Sequence, residues 1–232
     1  VGDYITKCVD SVMNQDFKDF KMFLIDDVSN DETINVIKEK IKDDKRFVLI
    51  PNTEKKYKLK NIDDLLIDED LFDDEDIIIE LDGDDWLENN KVLSLINEKY
   101  NQNKNLWITN GSFVYSDGRF GFSSKVNPET IRTDTFLFSH LRTWKVHLWR
   151  NIKQESFLDE NGEYFKAAPD AAYSFPMVEM AGERHYEYIP NILYVYNEST
   201  PYNEHKSGAS AGQFEQFRCS NIIRNLPRYQ KL

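Results

Sequence analysis

Cysteine is nearly absent: Cys8 and Cys219 are the only two in 232 residues. That excludes a disulfide scaffold and fits a reducing setting, the cytoplasm or the cytoplasmic face of the membrane. Neither cysteine has neighbours that suggest a metal site or a nucleophile. Long apolar runs are missing too. No stretch approaches the ~20 apolar residues that a membrane-spanning helix needs, and the first residues do not read as a signal peptide. Positive charge is scarce, with 29 Lys and Arg against 41 Asp and Glu, a formal net charge of -12. A nucleic-acid binder needs a basic face to neutralise phosphates, so no nucleic-acid partner is expected. A small phosphorylated ligand stays compatible if a cation stands between it and the carboxylates.

What is present is enough apolar material for a packed core. The apolar fraction is 40% and aromatics make up 13%, which excludes global disorder. Ile5, Cys8, Val9, Val12 and Met13 fall on one helical stripe within residues 4–15. "KMFLIDD" reads as a buried strand ending in Asp26 and Asp27. A helix is expected to open at Ser29 and Asn30, both good N-caps, and to carry Ile34, Ile37 and Ile41. "RFVLIPN" is a second strand, "YKLKNIDDLLI" a short helix, "DIIIELD" a third strand, "LENNKVLSLINEKY" a helix from near Glu88, and "LWITNG" a fourth strand. This alternation predicts an α/β layered fold around a mixed, mainly parallel central sheet.

The second half reads differently. "GSFVYSDGRFGFSS" is a hairpin turning at Asp117-Gly118. "LRTWKVHLWRNI" reads as a helix with Leu141, Trp144, Leu148 and Ile152 on one side. "PDAAYSFPMVEMAG" is a helix ended by Gly182, with Pro176 expected to kink or divide it. "YEYIP" and "NILYVYNES" are two strands, and "AGQFEQFRCSNIIRN" is a final helix. There is no internal repeat and no low-complexity linker. One domain over residues 1–232 is expected, with a nucleotide-binding half over 1–110 and an acceptor half over 111–232.

In such sheets ligands bind beyond the carboxyl ends of strands. Asp26-Asp27 and Asp82-Asp84-Asp85 both lie there. An Asp-x-Asp pair on extended backbone points two carboxylates to the same side, which suits one hard divalent ion, Mg²⁺ or Mn²⁺, with positions left for phosphates. The bland alternative is a solvated turn. An EF-hand is a poor match, because its glycine and terminal glutamate are not at the required offsets. The run from Asp68 to Asp76 reads as a solvated acidic loop.

Three ordered motifs make the pattern more specific. Ser11 to Gln15 follows S-x-x-x-Q, Ile25 to Thr33 follows V-D-D-x-S-x-D-x-T, and "ELDGDDWL" resembles L-D-x-D-D. In that order they resemble family 2 glycosyltransferases of the GT-A fold, especially the family's bacterial sporulation-coat members. The resemblance implies that Asp27 accepts a hydrogen bond from the nucleotide base or ribose, and that Asp82 lies near the ribose. It places Asp84 and Asp85 at the metal and diphosphate, leaving open which is the direct ligand. The family normally begins with a strand and a Thr/Ser-x-Tyr-Asn segment before the point where "VGDYI" starts, so its first strand is not seen in this sequence.

For the acceptor half, the resemblance places an acid at the start of a helix after the hairpin. Asp170 in "AAPDAAYSFP" is the candidate base, its pKa raised by burial. An ordinary acid at a helix N-terminus is the alternative. Arg142 is a candidate for offsetting phosphate charge, with His140 beside it as ligand or core histidine. His205 and Lys206 match a C-terminal loop of some members, where a histidine joins the metal or the phosphates. Lys55, Lys56 and Lys60 form a basic cluster near the nucleotide end, and Trp86, Trp107, Trp144 and Tyr173 read as core or sugar platform. The expectation is a metal-dependent, inverting transfer from a UDP-, GDP- or dTDP-sugar to a hydroxyl of a glycan or glycoconjugate. The alternatives are a sugar nucleotidyltransferase, whose glycine- and arginine-rich loop is not visible, and a binding module without turnover.

Overall fold

A computed structural model describes residues 2–199 and 211–232. Helix α1 (Gly2–Met13) lays Ile5, Cys8, Val9 and Val12 into a buried cluster with Leu24, Ile37, Phe47 and Leu93. That is the stripe read from the sequence, and fully burying each such side chain contributes about 1.5–3 kcal/mol. Strands β1 (Met22–Asp26) and β2 (Phe47–Pro51) pair in parallel across α2 (Thr33–Ile41). The helix opens later than Ser29 and Asn30. Asp31 takes the capping part instead, accepting from the Thr33 backbone N–H at 3.0 Å. Next come α3 (Tyr57–Leu66), the short strands β3 (Ile77–Ile79) and β4 (Trp86–Leu87), and α4 (Val92–Gln102). The helix expected from near Glu88 opens only at Val92, and Trp86 and Leu87 just before it pair with a later strand.

The second half contains β5 (Ile108–Tyr115), β6 (Arg142–Lys145), α5 (Val146–Arg150), α6 (Pro169–Ala181), β7 (Tyr186–Tyr196) and α7 (Ala211–Asn225). The larger sheet runs β3-β6-β5-β7-β4. It is mixed: β5 and β7 are parallel, whereas β6 is antiparallel to both its neighbours and β4 is antiparallel to β7. Parallel pairing is therefore less prominent than the alternation of elements suggests.

Three readings need correction. Residues 142–145 are a strand, not part of a long helix, and only 146–150 are helical. All four residues of β6 are buried between β3 and β5, which erases the alternation that marks a strand. Pro176 neither ends nor divides α6. The two C-terminal strands are one strand, β7, and Pro190 sits where its register with β5 shifts, a place that tolerates a missing N–H. The turn at Asp117-Gly118 is present, with Gly118 at φ 89°. Its returning arm pairs at the bridge between Val114 and Phe120.

A second buried cluster joins α3, α5, α6 and α7 through Leu59, Leu66, Trp144, Trp149, Tyr173, Phe175 and Ile223. Trp144 and Tyr173 are thus core. No helix among the described residues is long and apolar enough to cross a membrane.

Candidate active site

The carboxyl end of β3 gathers groups from four elements. Beyond Ile79 the chain turns Glu80 inward, and Glu80 is nearly buried. Arg142, on β6, reaches it with two nitrogens, Nε at 3.1 Å and Nη2 at 3.2 Å. Its Nη1 lies 3.0 Å from Asp170 Oδ2. Lys58, on α3, contacts Glu80 and sits 2.9 Å from Asp82 and 3.2 Å from Asp170. Tyr173, one turn along α6 from Asp170, donates to Glu80 and lies 3.3 Å from Asp170 Oδ1. Sequence reasoning missed Glu80 and Lys58. Glu80 hides in an apolar run, but a carboxylate in such a run demands a buried cation, which is the signal that could have found the pair.

Burial pushes the Asp170 carboxyl up, but Arg142 and Lys58 outweigh it and hold the group well below the usual carboxylate range. The expected upward shift is therefore reversed in this state. Glu80 is likewise pushed up by burial, and Arg142 and Lys58 bring it down to about 2. His140 is buried and lowered to about 3, first by burial and then by the Arg142 charge. It is a neutral core histidine, stacked on Tyr194 at 4.3 Å.

Asp82, Asp84 and Asp85 occupy the turn between β3 and β4. Asp85 is 2% exposed. It accepts from the Tyr194 hydroxyl and, at 2.6 Å, from the Asn197 backbone N–H. Burial and the neighbouring Asp82 push it up to about 7. Asp84 is half-buried and raised by the same two causes. Asp82 is raised by burial, with Lys58 pulling the other way. No group of three or more His, Cys, Asp or Glu side chains poised to hold a metal occurs among the described residues. The donor set still fits a hard cation. Three carboxylates with raised proton affinity stand on one turn, and a divalent ion would relieve their repulsion.

The turn is pinned from the end of α1 and the residues just after it. Ser11 Oγ accepts from the Leu87 backbone N–H at 3.0 Å. The Gln15 carboxamide donates to Asn89 O at 2.6 Å and accepts from the Leu93 N–H at 3.0 Å. The S-x-x-x-Q pattern is thus a structural clamp behind the acidic turn.

Asp27 lies at the end of β1, apart from these contacts. Its oxygens accept from Asn52 Nδ2 at 2.9 Å and from the backbone N–H groups of Lys56 at 2.8 Å and Tyr57 at 2.9 Å. Burial raises its pKa, but these bonds outweigh that and lower it. Asn61 adds a fourth hydrogen bond through its side chain, which fills the about four acceptor positions of a carboxylate, so a ligand reaches Asp27 only by displacing one of these donors. Lys56 and Lys60 are both paired with Asp64 and are surface partners rather than phosphate ligands in this state. Trp107 stacks on His185, and Lys7 lies over Trp86. His205 and Lys206 lie outside the described residues.

Solved structures similar to this fold include S. aureus TarS, at TM-score 0.65 and 17% identity over 95% of this chain and 61% of that one. The mannosyltransferase PcManGT from Pyrobaculum calidifontis, in complex with GDP-Man and Mn²⁺, matches at TM-score 0.53 and 13% identity over 96% of this chain and 66% of that one. GalNAc-T7 with UDP, GalNAc and Mn²⁺ matches at TM-score 0.57 and 11% identity over 94% of this chain and 46% of that one. The chain spans less than two thirds of the length of each. These likenesses show a GT-A fold. Residues 1–156 match the family described as Glycosyl transferase family 2, and the chain belongs to that family.

Proposed function

We propose that this chain moves a sugar from a nucleotide-diphosphate sugar to a hydroxyl of a glycan or glycoconjugate, with inversion. The observation that carries the reading is the meeting of the acidic turn, Asp82-Asp84-Asp85, with Asp170 through the shared cation Lys58. Family membership and neighbours whose structures hold GDP-Man or UDP with Mn²⁺ support it. We take the chain as one unit, residues 1–110 serving the donor and 111–232 the acceptor.

Asp27 takes the base or ribose by exchanging one of its present donors for the ligand, and Asp82 stands on the ribose side. Asp84 and Asp85, with His205, would hold Mn²⁺ or Mg²⁺, which when bound offsets charge on the leaving diphosphate. Lys206 and Arg142 add positive charge on the donor side. Arg142 is 1% exposed and tied to Glu80 and Asp170, so it acts at short range through the network. Asp170 takes the proton from the acceptor hydroxyl. The hydroxyl oxygen then bonds to the anomeric carbon from the face opposite the diphosphate. The anomeric C–O bond breaks, and its electron pair leaves with the nucleoside diphosphate.

One observation favours the alternative of a binding module without turnover: Asp170 is held between two cations, a poor state for a base. Incubation with UDP-, GDP- and dTDP-sugars, Mn²⁺ and glycan acceptors separates the readings. Transfer that is lost in Asp170→Asn supports the enzyme. Nucleotide binding without sugar release from any donor supports the module. Pyrophosphate released from a nucleoside triphosphate and a sugar 1-phosphate would point to nucleotidyl transfer.

A further inference from the structure

The site contains more charge than its cations match. Glu80, Asp82 and Asp170 share Lys58 and Arg142. A diphosphate arriving beside this cluster adds further negative charge, which attracts a cation of the cluster in addition to any divalent ion that accompanies it. The two differ in their freedom to do so. Arg142 is 1% exposed, and its guanidinium is fixed by two bonds to Glu80, one to Asp170 and a 3.3 Å contact with His140 Nδ1. Moving it would strand a buried carboxylate, which is costly. Lys58 has a side chain 27% exposed, and its partners Asp82 and Asp170 are 33% and 30% exposed; its third partner, Glu80, is buried but keeps Arg142 and Tyr173 when Lys58 leaves. A flexible four-carbon stem ending in three rotatable donors can change partners at little cost.

We propose that Lys58 is a positioning residue whose ammonium is used in turn: it holds Asp170 in the ligand-free protein and moves onto the donor diphosphate when that anion binds. This deepens the glycosyl-transfer reading and rests on it for the role of Asp170. The exchange restores the basicity of Asp170 only when the donor is in place, so proton removal is tied to donor binding. The groups facing Asp170 are Lys58 from α3, Arg142 from β6 and Tyr173 from its own helix, with Glu80, Asp82 and His140 behind them. Of these, Lys58 is the cation with room to leave.

The test uses the full chain labelled with ¹³C at the aspartate carboxyls, with the Asp170 signal identified by its loss in Asp170→Asn. Magnesium pyrophosphate serves as the probe. In the wild type it moves the Asp170 titration midpoint upward by about one pH unit, the effect of losing one nearby opposite charge. In Lys58→Met the midpoint starts higher, pyrophosphate adds little, and pyrophosphate affinity falls about tenfold, as loss of one charge-assisted contact implies. Lys58→Arg restores the response. Repulsion from the added anion alone would move wild type and Lys58→Met equally. That result, or an unmoved wild-type midpoint, overturns the proposal. If Lys58→Met does not fold, Lys58→Gln replaces it, and the wild-type arm alone can still refute the exchange. Sugar transfer is scored separately. Absent transfer with an intact exchange sinks the glycosyl-transfer reading, and transfer with an unmoved midpoint sinks the role of Lys58.

Discussion

Tyr194 donates its phenolic hydrogen to Asp85, and so ties the acidic turn after β3 to the strand β7. The bond opposes burial and the Asp82 charge, which together push Asp85 up to about 7. A carboxyl raised by folding is favoured in its protonated form. Its contribution is complete below the ordinary aspartate pKa of about 3.9 and is lost as pH rises through about 7. Asp84 and Asp82 are raised and share that sign. Glu80 and Asp170 have the opposite sign, because Arg142 and Lys58 lower them against burial. Their contribution is present above the usual carboxylate range and is lost as pH falls below it, through about 2 for Glu80. In chelator-treated protein, stability should therefore peak at mildly acidic pH and decline toward neutrality. Urea unfolding across pH should show Asp85→Asn with a flatter neutral limb and an unchanged acid limb. Identical neutral limbs would remove Asp85 as the cause.

Arg142 should be the costliest single side chain of the site. Arg142→Met leaves Glu80 buried with one ion-pair partner fewer, and such a loss costs about 3–5 kcal/mol. Arg142→Lys should recover only part of it, since an ammonium cannot reproduce the two-nitrogen contact with Glu80. Adding Glu80→Leu to Arg142→Met should restore stability, because the stranded carboxylate is then gone. Guanidinium unfolding of the four proteins checks this. A double variant no more stable than Arg142→Met would show that the loss is one of packing.

Asp84 should be the metal-sensitive position. It stands half-buried beside Asp82, and its carboxyl is raised by burial and by that charge. Asp84→Asn removes repulsion, so the metal-free protein should be as stable as wild type or more so. The added affinity that Mn²⁺ confers on UDP or GDP should shrink by at least tenfold, the scale of one lost charge-assisted contact. Calorimetric titrations with and without Mn²⁺ measure this increment. An increment equal to that of wild type would move the cation elsewhere.

The parts legible in the sequence were those with local causes. The α1 stripe, the strand ending at Asp26, the turn at Gly118 and the start of α6 at Pro169 each follow from residues close together in the chain. What escaped was set by distant partners. Residues 142–145 form a strand because β3 and β5 flank them, and burial on both faces removes the periodicity. Lys58 lies among lysines of similar appearance, and only the fold sets it apart by bringing Glu80, Asp82 and Asp170 to it. The downward shift of Asp170 escaped for the same reason, since its cations come from α3 and β6.

Gln15 gives the most direct test of how the acidic turn is held. It is fully buried, and its carboxamide spans Asn89 O and the Leu93 N–H while also donating to Ser11 O at 2.9 Å. Gln15→Leu has nearly the right size but strands a buried N–H and two carbonyls, so it should cost about 1–3 kcal/mol per group left unpaired. The loss should also be local. Leu87 and Leu93 both follow the turn that carries Asp84 and Asp85, and Leu87 is held by Ser11, in the last turn of α1 just before Gln15. Amide exchange should accelerate at Leu93 first, then at Leu87, while β5 and β7 keep their protection. Uniform acceleration across the sheet would mean that Gln15 supports the fold as a whole rather than the turn that presents the carboxylates.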